Sequence, residues 1–165
     1  MVIREADAAL WPRFLTLAAE YLPGSDPARM TEMASRWPHT FLTVSDEASG
    51  ETAGIAFGWL RAGCTEEFCL DGIAVQAPFQ RRGIGTGLLR AFERAAAGYG
   101  ARLVSLGSAE GGAERFYLEN GYRPVRFRTS SDGTVRTLRE YASVTDYETW
   151  PRPCEGFVVM EKALR

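Results

Sequence analysis

The residues best suited to chemistry form a short segment rich in arginine and glycine, which contains Arg81, Arg82, Gly83, Ile84, Gly85 and Thr86. Because glycine lacks a Cβ atom, the backbone here can bring several N–H groups into one concavity. Apolar residues at helical spacing follow, and the unpaired amides and dipole of a helix N-terminus attract anions. The two arginines add positive charge, so the segment predicts an anion site that suits a pyrophosphate.

Three interpretations of this glycine turn compete. A dinucleotide-binding fingerprint has a third glycine three residues after the second, and Leu88 occupies that position. A nucleotide-binding P-loop ends in Gly-Lys followed by Ser or Thr, and the turn contains no lysine. The third interpretation is an ordinary surface turn with solvated arginines. From its own residues, the turn leaves this last interpretation and a phosphate site equally open.

A second pattern lies further along the chain, where residues 113–122 read Ala-Glu-Arg-Phe-Tyr-Leu-Glu-Asn-Gly-Tyr. This segment resembles Ala-x-x-Phe-Tyr-x-x-x-Gly-Phe/Tyr, and residues 80–85 match Gln/Arg-x-x-Gly-x-Gly/Ala. These are two signatures of the GNAT superfamily of acetyl-CoA-dependent N-acetyltransferases, and they occur here in the family's order. The resemblance is specific from about Leu70 to Tyr122 and holds only in outline elsewhere.

The resemblance implies an α/β (α+β) fold with a mixed, mostly antiparallel central sheet, splayed strands and about four flanking helices. The length and composition predict one domain over residues 1–165, and the cysteine spacing and single histidine predict no metal ion. The resemblance adds acetyl-CoA as co-substrate. Backbone contacts to the pantetheine arm are implied for Ile73, Ala74 and Val75, and pyrophosphate contacts for the amides of the glycine turn and Thr86. An extended amide-like arm can satisfy strand N–H and C=O groups that would otherwise be unpaired.

Tyr117 is the predicted general acid, because it matches the family tyrosine that protonates the departing thiolate. A phenol with a reference pKa near 10 is a suitable donor to an alkyl thiolate. Tyr117 also shares one helical face with Ala113 and Phe116. Simple packing is therefore the alternative role.

Asp71 is the predicted general base, although the family's usual strand carboxylate falls on Cys69 in this sequence. Asp71 lies two residues further on, so it shares the strand face of Cys69 and can take a proton through water. Bonding to a neighbouring amide is an equally good account of it. An acyl-cysteine at Cys69 is disfavoured because no histidine is near to raise its thiolate fraction. Glu110 is a second departure, since many relatives have a pantetheine-binding asparagine there.

The apolar periodicity and the turn signals predict the elements that position these residues. Two amphipathic helices precede residue 38, and a hairpin joins strands at 41–44 and 52–60. A strand at 68–75 leads into the glycine turn and a helix at 86–99. The remaining predicted elements are a strand at 103–106, a helix at 113–120 and strands at 122–127 and 157–160.

The connection between the last two predicted strands, residues 128–155, is longer than a hairpin requires. It contains Tyr141, Tyr147 and Trp150, whose rings could bind an apolar or cationic group. The segment is predicted to form a wall of the acceptor pocket or, equally, an ordinary surface loop or a dimer contact.

The composition disfavours several other classes of protein. The net charge of −2 gives no general attraction to nucleic acid or to an anionic membrane. The first residues lack the apolar run of a signal peptide, and no stretch approaches the roughly 20 apolar residues of a membrane span, so a cytoplasmic location is expected. Three cysteines without C-x-x-C spacing predict reduced thiols, and the single histidine, His39, is expected at the surface.

The expected function is transfer of an acetyl group from acetyl-CoA to a primary amine of a small molecule or peptide. The amine attacks the thioester directly, through a tetrahedral intermediate. The alternative is an acyl-CoA-binding or sensing domain of the same fold without turnover, which the missing strand carboxylate suggests. The acceptor and the choice between monomer and homodimer stay open.

Overall fold

The computed structural model describes residues 1–109 and 111–165. Its contacts divide the chain into two compact units, Met1–Arg102 with Leu164 and Leu103–Ala163 with Arg165. The first unit contains the glycine turn and Asp71, and the second contains Tyr117.

Four antiparallel strands form the sheet of the first unit, in the order β1-β2-β3-β4. They are β1 (Val2–Glu5), β2 (Phe41–Ser45), β3 (Thr52–Leu60) and β4 (Glu67–Val75). β3 lies between β2 and β4, and every residue of it except Leu60 is buried. Three of these strands match the predicted ones, and β1 is an addition.

Three helices belong to the first unit: α1 (Trp11–Tyr21), α2 (Pro27–Arg36) and α3 (Ile84–Gly98). The Asp26 carboxylate starts α2 by accepting hydrogen bonds from two backbone N–H groups of the first turn. One face of the sheet and the first two helices share a buried core cluster, composed of Phe14, Leu17, Ala18, Met30, Phe41, Ile55, Phe57 and Trp59. The alternate residues of β3 face α3, because a Cβ at Gly58 would lie 2.8 Å from the ring of Phe92.

The second unit also contains four antiparallel strands, in the order β5-β8-β6-β7. Its elements along the chain are β5 (Leu103–Ser108), α4 (Gly111–Glu119), β6 (Arg123–Ser131), β7 (Thr134–Glu140), α5 (Val144–Thr149) and β8 (Phe157–Ala163). Residues 128–155 therefore contain the end of β6, all of β7 and the short helix α5. β7 is the edge strand, and each of its residues is exposed.

The β6–β7 hairpin closes through Asp132 and Gly133, whose φ angles are +51° and +74°. Two successive positive φ values at an Asp-Gly pair are typical of a type I′ turn, whose twist matches that of the strands it joins. The turn therefore fixes the register of β7 against β6, with Ser131 opposite Thr134.

The chain thus has a mixed α/β fold with mostly antiparallel strands, as the sequence predicts. The described residues form eight strands and five α-helices, one helix more than the approximate prediction. Among these residues, no helix combines the length and the apolar character that crossing a bilayer requires.

Candidate active site

The structure places the residues predicted to bind the cofactor on adjacent elements of the first unit. Ile73, Ala74 and Val75 end β4, Arg81, Arg82 and Gly83 form the turn, and Ile84, Gly85 and Thr86 begin α3. Asp71 lies on the same strand, whereas Tyr117 belongs to α4 in the second unit.

A β-bulge interrupts β4 at the predicted general base. The register shifts between Phe57 and Gly58 of β3, and Asp71 is left without a partner on that strand. The two backbones approach closely, since a Cβ at Gly58 would lie 2.1 Å from the carbonyl oxygen of Cys69. An extra residue bends a strand and redirects its side chains, and bulges are common beside active sites.

The bulge also changes which residues of β4 share a face. Before it, Cys69 lies opposite Trp59, which belongs to the core cluster. After it, Ala74 packs against that cluster, and a Cβ at Gly72 would lie 2.6 Å from the cluster's Phe57 side chain. If side chains alternated strictly along β4, the odd-numbered residues after Cys69 would all have faced the core cluster.

The environment of Asp71 raises the pKa of its carboxylate, which makes it a better proton acceptor. Its side chain is exposed by area, yet the surrounding protein removes enough water from the carboxylate to raise its pKa, and the charge of Arg29 lowers the pKa in part. A raised carboxylate pKa brings the group closer to neutral pH, where general bases are most effective.

The other two carboxylates near the start of β4 are already engaged. Glu67 forms an ion pair of 2.8 Å with Arg61, and Glu66 forms one of 3.1 Å with Arg102. These two charges are therefore largely neutralised, and of the three carboxylates only Asp71 forms no ion pair with another described residue.

The backbone of the glycine turn has the conformation that an anion cradle requires. Arg81 and Gly83 adopt φ values of +62° and +76°, and a Cβ at Gly83 would meet nothing within 4 Å. The glycine thus serves the backbone conformation and leaves the space beside it open. No side chain in the described part of the chain caps α3. Gly87 is the first residue whose N–H bonds to the turn, at 3.0 Å from the carbonyl oxygen of Gly83. The first three N–H groups of α3 have no partner within the helix.

The side chains of the turn add charge and fix its position. The guanidinium carbon of Arg82 lies 5.6 Å from the ring centroid of Phe79, which is buried. The side-chain amide of Gln80 donates a hydrogen bond of 2.9 Å to the carbonyl oxygen of Val75. Gln80 therefore ties the turn to the end of β4, and both turn arginines remain exposed.

The last residues of β4 present a strand backbone beside this turn. Ile73, Ala74 and Val75 are half-buried and pair with residues 54–56 of β3. Backbone N–H and C=O groups alternate in direction along a strand, so part of this set points away from β3. These are the groups that the resemblance assigns to the pantetheine arm.

Tyr117 lies in an aromatic environment on α4. Only 8% of the residue is exposed, and its ring centroid lies 5.2 Å from that of Phe116 and 5.8 Å from that of Tyr122. Burial raises the pKa of Tyr117 to about 12. The phenol is therefore protonated throughout the neutral range, which is the state that a proton donor needs.

Alkaline unfolding should report this buried phenol. Between about pH 10 and pH 12 the unfolded chain loses the Tyr117 proton while the native chain keeps it, so the free energy of unfolding falls as the pH rises. We expect Tyr117 to contribute a loss of roughly 2–3 kcal/mol over this window. Urea unfolding of wild type and Tyr117→Phe at several pH values should give curves that are parallel below pH 10 and converge above it. Curves that stay parallel to pH 12 would show that Tyr117 titrates normally.

A buried carboxylate on the same helix escapes the sequence analysis. Glu114 is 2% exposed, and Arg152 Nη1 donates to both of its oxygens, at 2.8 and 2.9 Å. The Tyr147 hydroxyl donates to Glu114 Oε2. Burial and this bond raise the pKa of Tyr147 to about 12. Glu114 thus fastens α5 and the segment that follows it to α4.

Aromatic rings complete the packing of this part of the second unit. The rings of Phe127 and Trp150 lie 5.4 Å apart, and the Arg152 guanidinium carbon lies 5.3 Å from the Tyr147 ring centroid. A cavity of about 250 Å³ is lined in part by Glu114, Phe127 and Arg152. The aromatic side chains noted in the sequence therefore hold the segment in place beside a cavity.

The remaining candidates have simpler outcomes. The three cysteines are thiols that are not joined in disulfides, as predicted. His39 is exposed, with its Nδ1 2.5 Å from Glu5 Oε1, which confirms the predicted surface position. Glu110 lies outside the described residues. Within 1–109 and 111–165, no three His, Cys, Asp or Glu side chains are grouped so that they could hold a metal ion.

Solved structures share this fold across nearly the whole chain. The Ard1 protein from Thermoplasma volcanium superposes with a TM-score of 0.74 at 19% identity, covering 99% of this chain and 97% of its own. An aminoglycoside 6′-N-acetyltransferase complexed with coenzyme A gives 0.72 at 17% identity, with 99% and 97% covered. The ribosomal-protein-S18-alanine N-acetyltransferase from Escherichia coli gives 0.65 at 16% identity, with 98% and 92% covered. No curated protein matches by sequence.

The chain therefore has the same α/β fold as these proteins, with the glycine turn between its fourth strand and third helix. The sequence model of the acetyltransferase (GNAT) family matches residues 9–122, which include α1 to α4 and both signatures. The chain belongs to the GNAT acetyltransferase family.

Proposed function

We propose that this chain is an N-acetyltransferase that moves an acetyl group from acetyl-CoA to a primary amine of a small molecule or peptide. The observation that carries the proposal is the uncapped start of α3 behind a glycine turn, directly after a bulged strand. Similar proteins are named as acetyltransferases of aminoglycosides and of a ribosomal protein. Residues 1–165 are proposed to act as one functional domain, as a monomer or homodimer.

The glycine turn is proposed to bind the pyrophosphate of acetyl-CoA. Unpaired N–H groups at the start of α3, the positive end of the helix dipole and two exposed arginines all favour a doubly charged anion. The donor set is made of backbone groups and guanidinium groups, which suits phosphate oxygens. The pantetheine arm would then follow the backbone of residues 73–75, as an added strand does.

Asp71 is proposed to deprotonate the acceptor. An ammonium ion cannot attack, so one proton must first move to the carboxylate, directly or through water. The neutral nitrogen then bonds to the thioester carbon, which leaves the carbonyl oxygen negative and the nitrogen positive. Collapse of this intermediate breaks the carbon–sulfur bond, and the nitrogen gives up its extra proton, through water, to the departing thiolate. The bulge supports this role because it directs an unpaired acidic residue out of the regular ladder.

Tyr117 is proposed to stabilise and protonate the leaving thiolate. Its pKa of about 12 exceeds the reference thiol value of about 8.5, so full proton transfer from the phenol to the sulfur is uphill. The phenol therefore acts mainly as a hydrogen-bond donor to the developing thiolate. The proton that the thiolate finally takes up reaches the sulfur as the product leaves. The reference pKa of tyrosine predicts proton transfer from Tyr117, whereas its raised pKa favours hydrogen bonding instead.

The reaction so assigned is proposed to need no metal ion and to take place in the cytoplasm, where thiols stay reduced. Residues 128–155 are proposed as a wall of the acceptor pocket, because three of them, Arg152, Pro153 and Cys154, line part of a cavity beside the fixed Glu114 carboxylate. A non-catalytic acyl-CoA-binding domain is the second candidate, and the observation that favours it is Cys69 at the family's carboxylate position.

Thiol release from acetyl-CoA distinguishes the two candidates. A screen over amino acids, peptides, polyamines and aminoglycosides should find at least one amine that releases CoA thiol, whereas a binding domain would release none. With that amine, Tyr117→Phe should lower kcat by roughly 10–100-fold and leave the Kd for CoA unchanged, because the phenol acts only on the leaving group. Wild-type turnover by Tyr117→Phe would remove Tyr117 from the mechanism.

A further inference from the structure

Two opposite charges beside the β4 bulge lack partners of their own. The ion pairs of Glu66 and Glu67 account for the nearby acids, and neither Asp71 nor Arg29 forms an ion pair with another described residue. The charge of Arg29 nevertheless reaches Asp71. Asp71 on β4 and Arg29 on α2 are therefore opposite charges that influence each other without forming an ion pair.

Arg29 is held in place by stacking and not by a carboxylate. It lies in the first turn of α2, where its N–H is directed to the Asp26 carboxylate and the neighbouring Met30 is buried in the core cluster. Its guanidinium carbon lies 5.3 Å from the ring centroid of Trp59, and Trp59 is only 7% exposed. Stacking on a fixed ring orients a guanidinium while its in-plane N–H donors stay free for a planar anion such as a carboxylate.

The strand register brings Asp71 close to this stacked arginine. Trp59 lies opposite Cys69 on β4, and Asp71 follows two residues later at the bulge. Asp71 has no partner on β3 at the register shift, and the charge of the Arg29 guanidinium acts on its carboxylate. A small acceptor with one charged group at each end would contact both side chains.

We infer that the acceptor is an amino acid or another small amine that carries a carboxylate, with its nitrogen at Asp71 and its carboxylate on Arg29. This inference rests on the proposed function. It disfavours polyamines, whose second ammonium would face the guanidinium, and it makes Arg29 a substrate-binding residue of the site.

Matched acceptors that differ only in charge test this assignment. Free amino acids should release thiol from acetyl-CoA with a kcat/KM at least tenfold above that of their carboxamides. Arg29→Gln should lower kcat/KM for the free amino acids by roughly 10–100-fold, mostly through KM, because a charged hydrogen bond to the carboxylate is lost. The carboxamides should change by less than about threefold, and Arg29→Lys should restore part of the loss.

Arg36→Gln is the control, since Arg36 lies on the same helix in an exposed ion pair with Glu32, and it should leave all values unchanged. An unaltered preference in Arg29→Gln, with its melting temperature unchanged, would overturn the inference, as would faster turnover of carboxamides or polyamines by wild type. Absence of thiol release from every amine would instead overturn the proposed function, and this inference with it.

Discussion

Arg152→Ala should destabilise the protein by about 3 kcal/mol, because it leaves the Glu114 carboxylate buried without its cation. Glu114 is 2% exposed, whereas the Arg152 side chain is 34% exposed, so water can replace only part of what the guanidinium supplies. For a chain of this size, we expect the melting temperature to fall by roughly 6–12 °C. Thermal and urea unfolding followed by circular dichroism would measure the change.

A double variant separates the charge from the packing. Glu114→Gln removes the charge, so adding Arg152→Met to it should cost much less than Arg152→Ala costs in wild type. Arg115→Ala is the matched control on the same helix, because Arg115 and Glu119 form an exposed pair of 2.9 Å and such pairs contribute little. Equal losses in Arg152→Ala and Arg115→Ala would contradict a structural role for the buried carboxylate.

Local patterns explain why the family and the strand-turn-helix unit could be predicted. The turn has a positive φ at Gly83 and leads into an uncapped helix start. Both features depend on residues that are close together in the sequence. α3 begins only two residues before its predicted start. The signature at 113–122 likewise consists of residues of one helix, α4, and of the residues just after it, among them Gly121.

Features that depend on pairing between distant residues could not be predicted in this way. The bulge at Asp71 arises from the register between β3 and β4, which periodicity within one strand does not encode. The bonds from Tyr147 and Arg152 to Glu114 join residues 33 and 38 positions apart. The stack of Arg29 on Trp59 likewise joins two elements that the sequence separates.

The sequence contains a turn signal before β7, although β7 itself has no pattern of apolar residues. Its residues are all exposed, so it has no buried face to produce an alternating pattern. The pair Asp132-Gly133 before it is nevertheless a strong hairpin signal. The sequence of β1 is a weaker signal for a strand, because only Val2 and Ile3 of its four residues are apolar.

The double variant Arg82→Glu with Gly83→Asp should weaken CoA binding by at least roughly 100-fold. It replaces one cation with an anion and adds a second carboxylate beside the first N–H groups of α3, where the pyrophosphate is proposed to lie. Each charge within a few ångströms of the ligand contributes about 1–4 kcal/mol at the dielectric of a protein surface. Calorimetric titration with CoA would give the Kd.

The matched control carries the same change in charge on α3, the helix that follows the turn, at positions away from the turn. Arg90 and Gly98 are exposed, and a Cβ at Gly98 would meet nothing within 4 Å. Arg90→Glu with Gly98→Asp should therefore leave the Kd within about threefold of wild type, since screening weakens charges beyond about 10 Å. If both double variants weakened binding equally, net charge and not the turn would determine affinity. If neither did, the pyrophosphate would have to bind elsewhere on the chain.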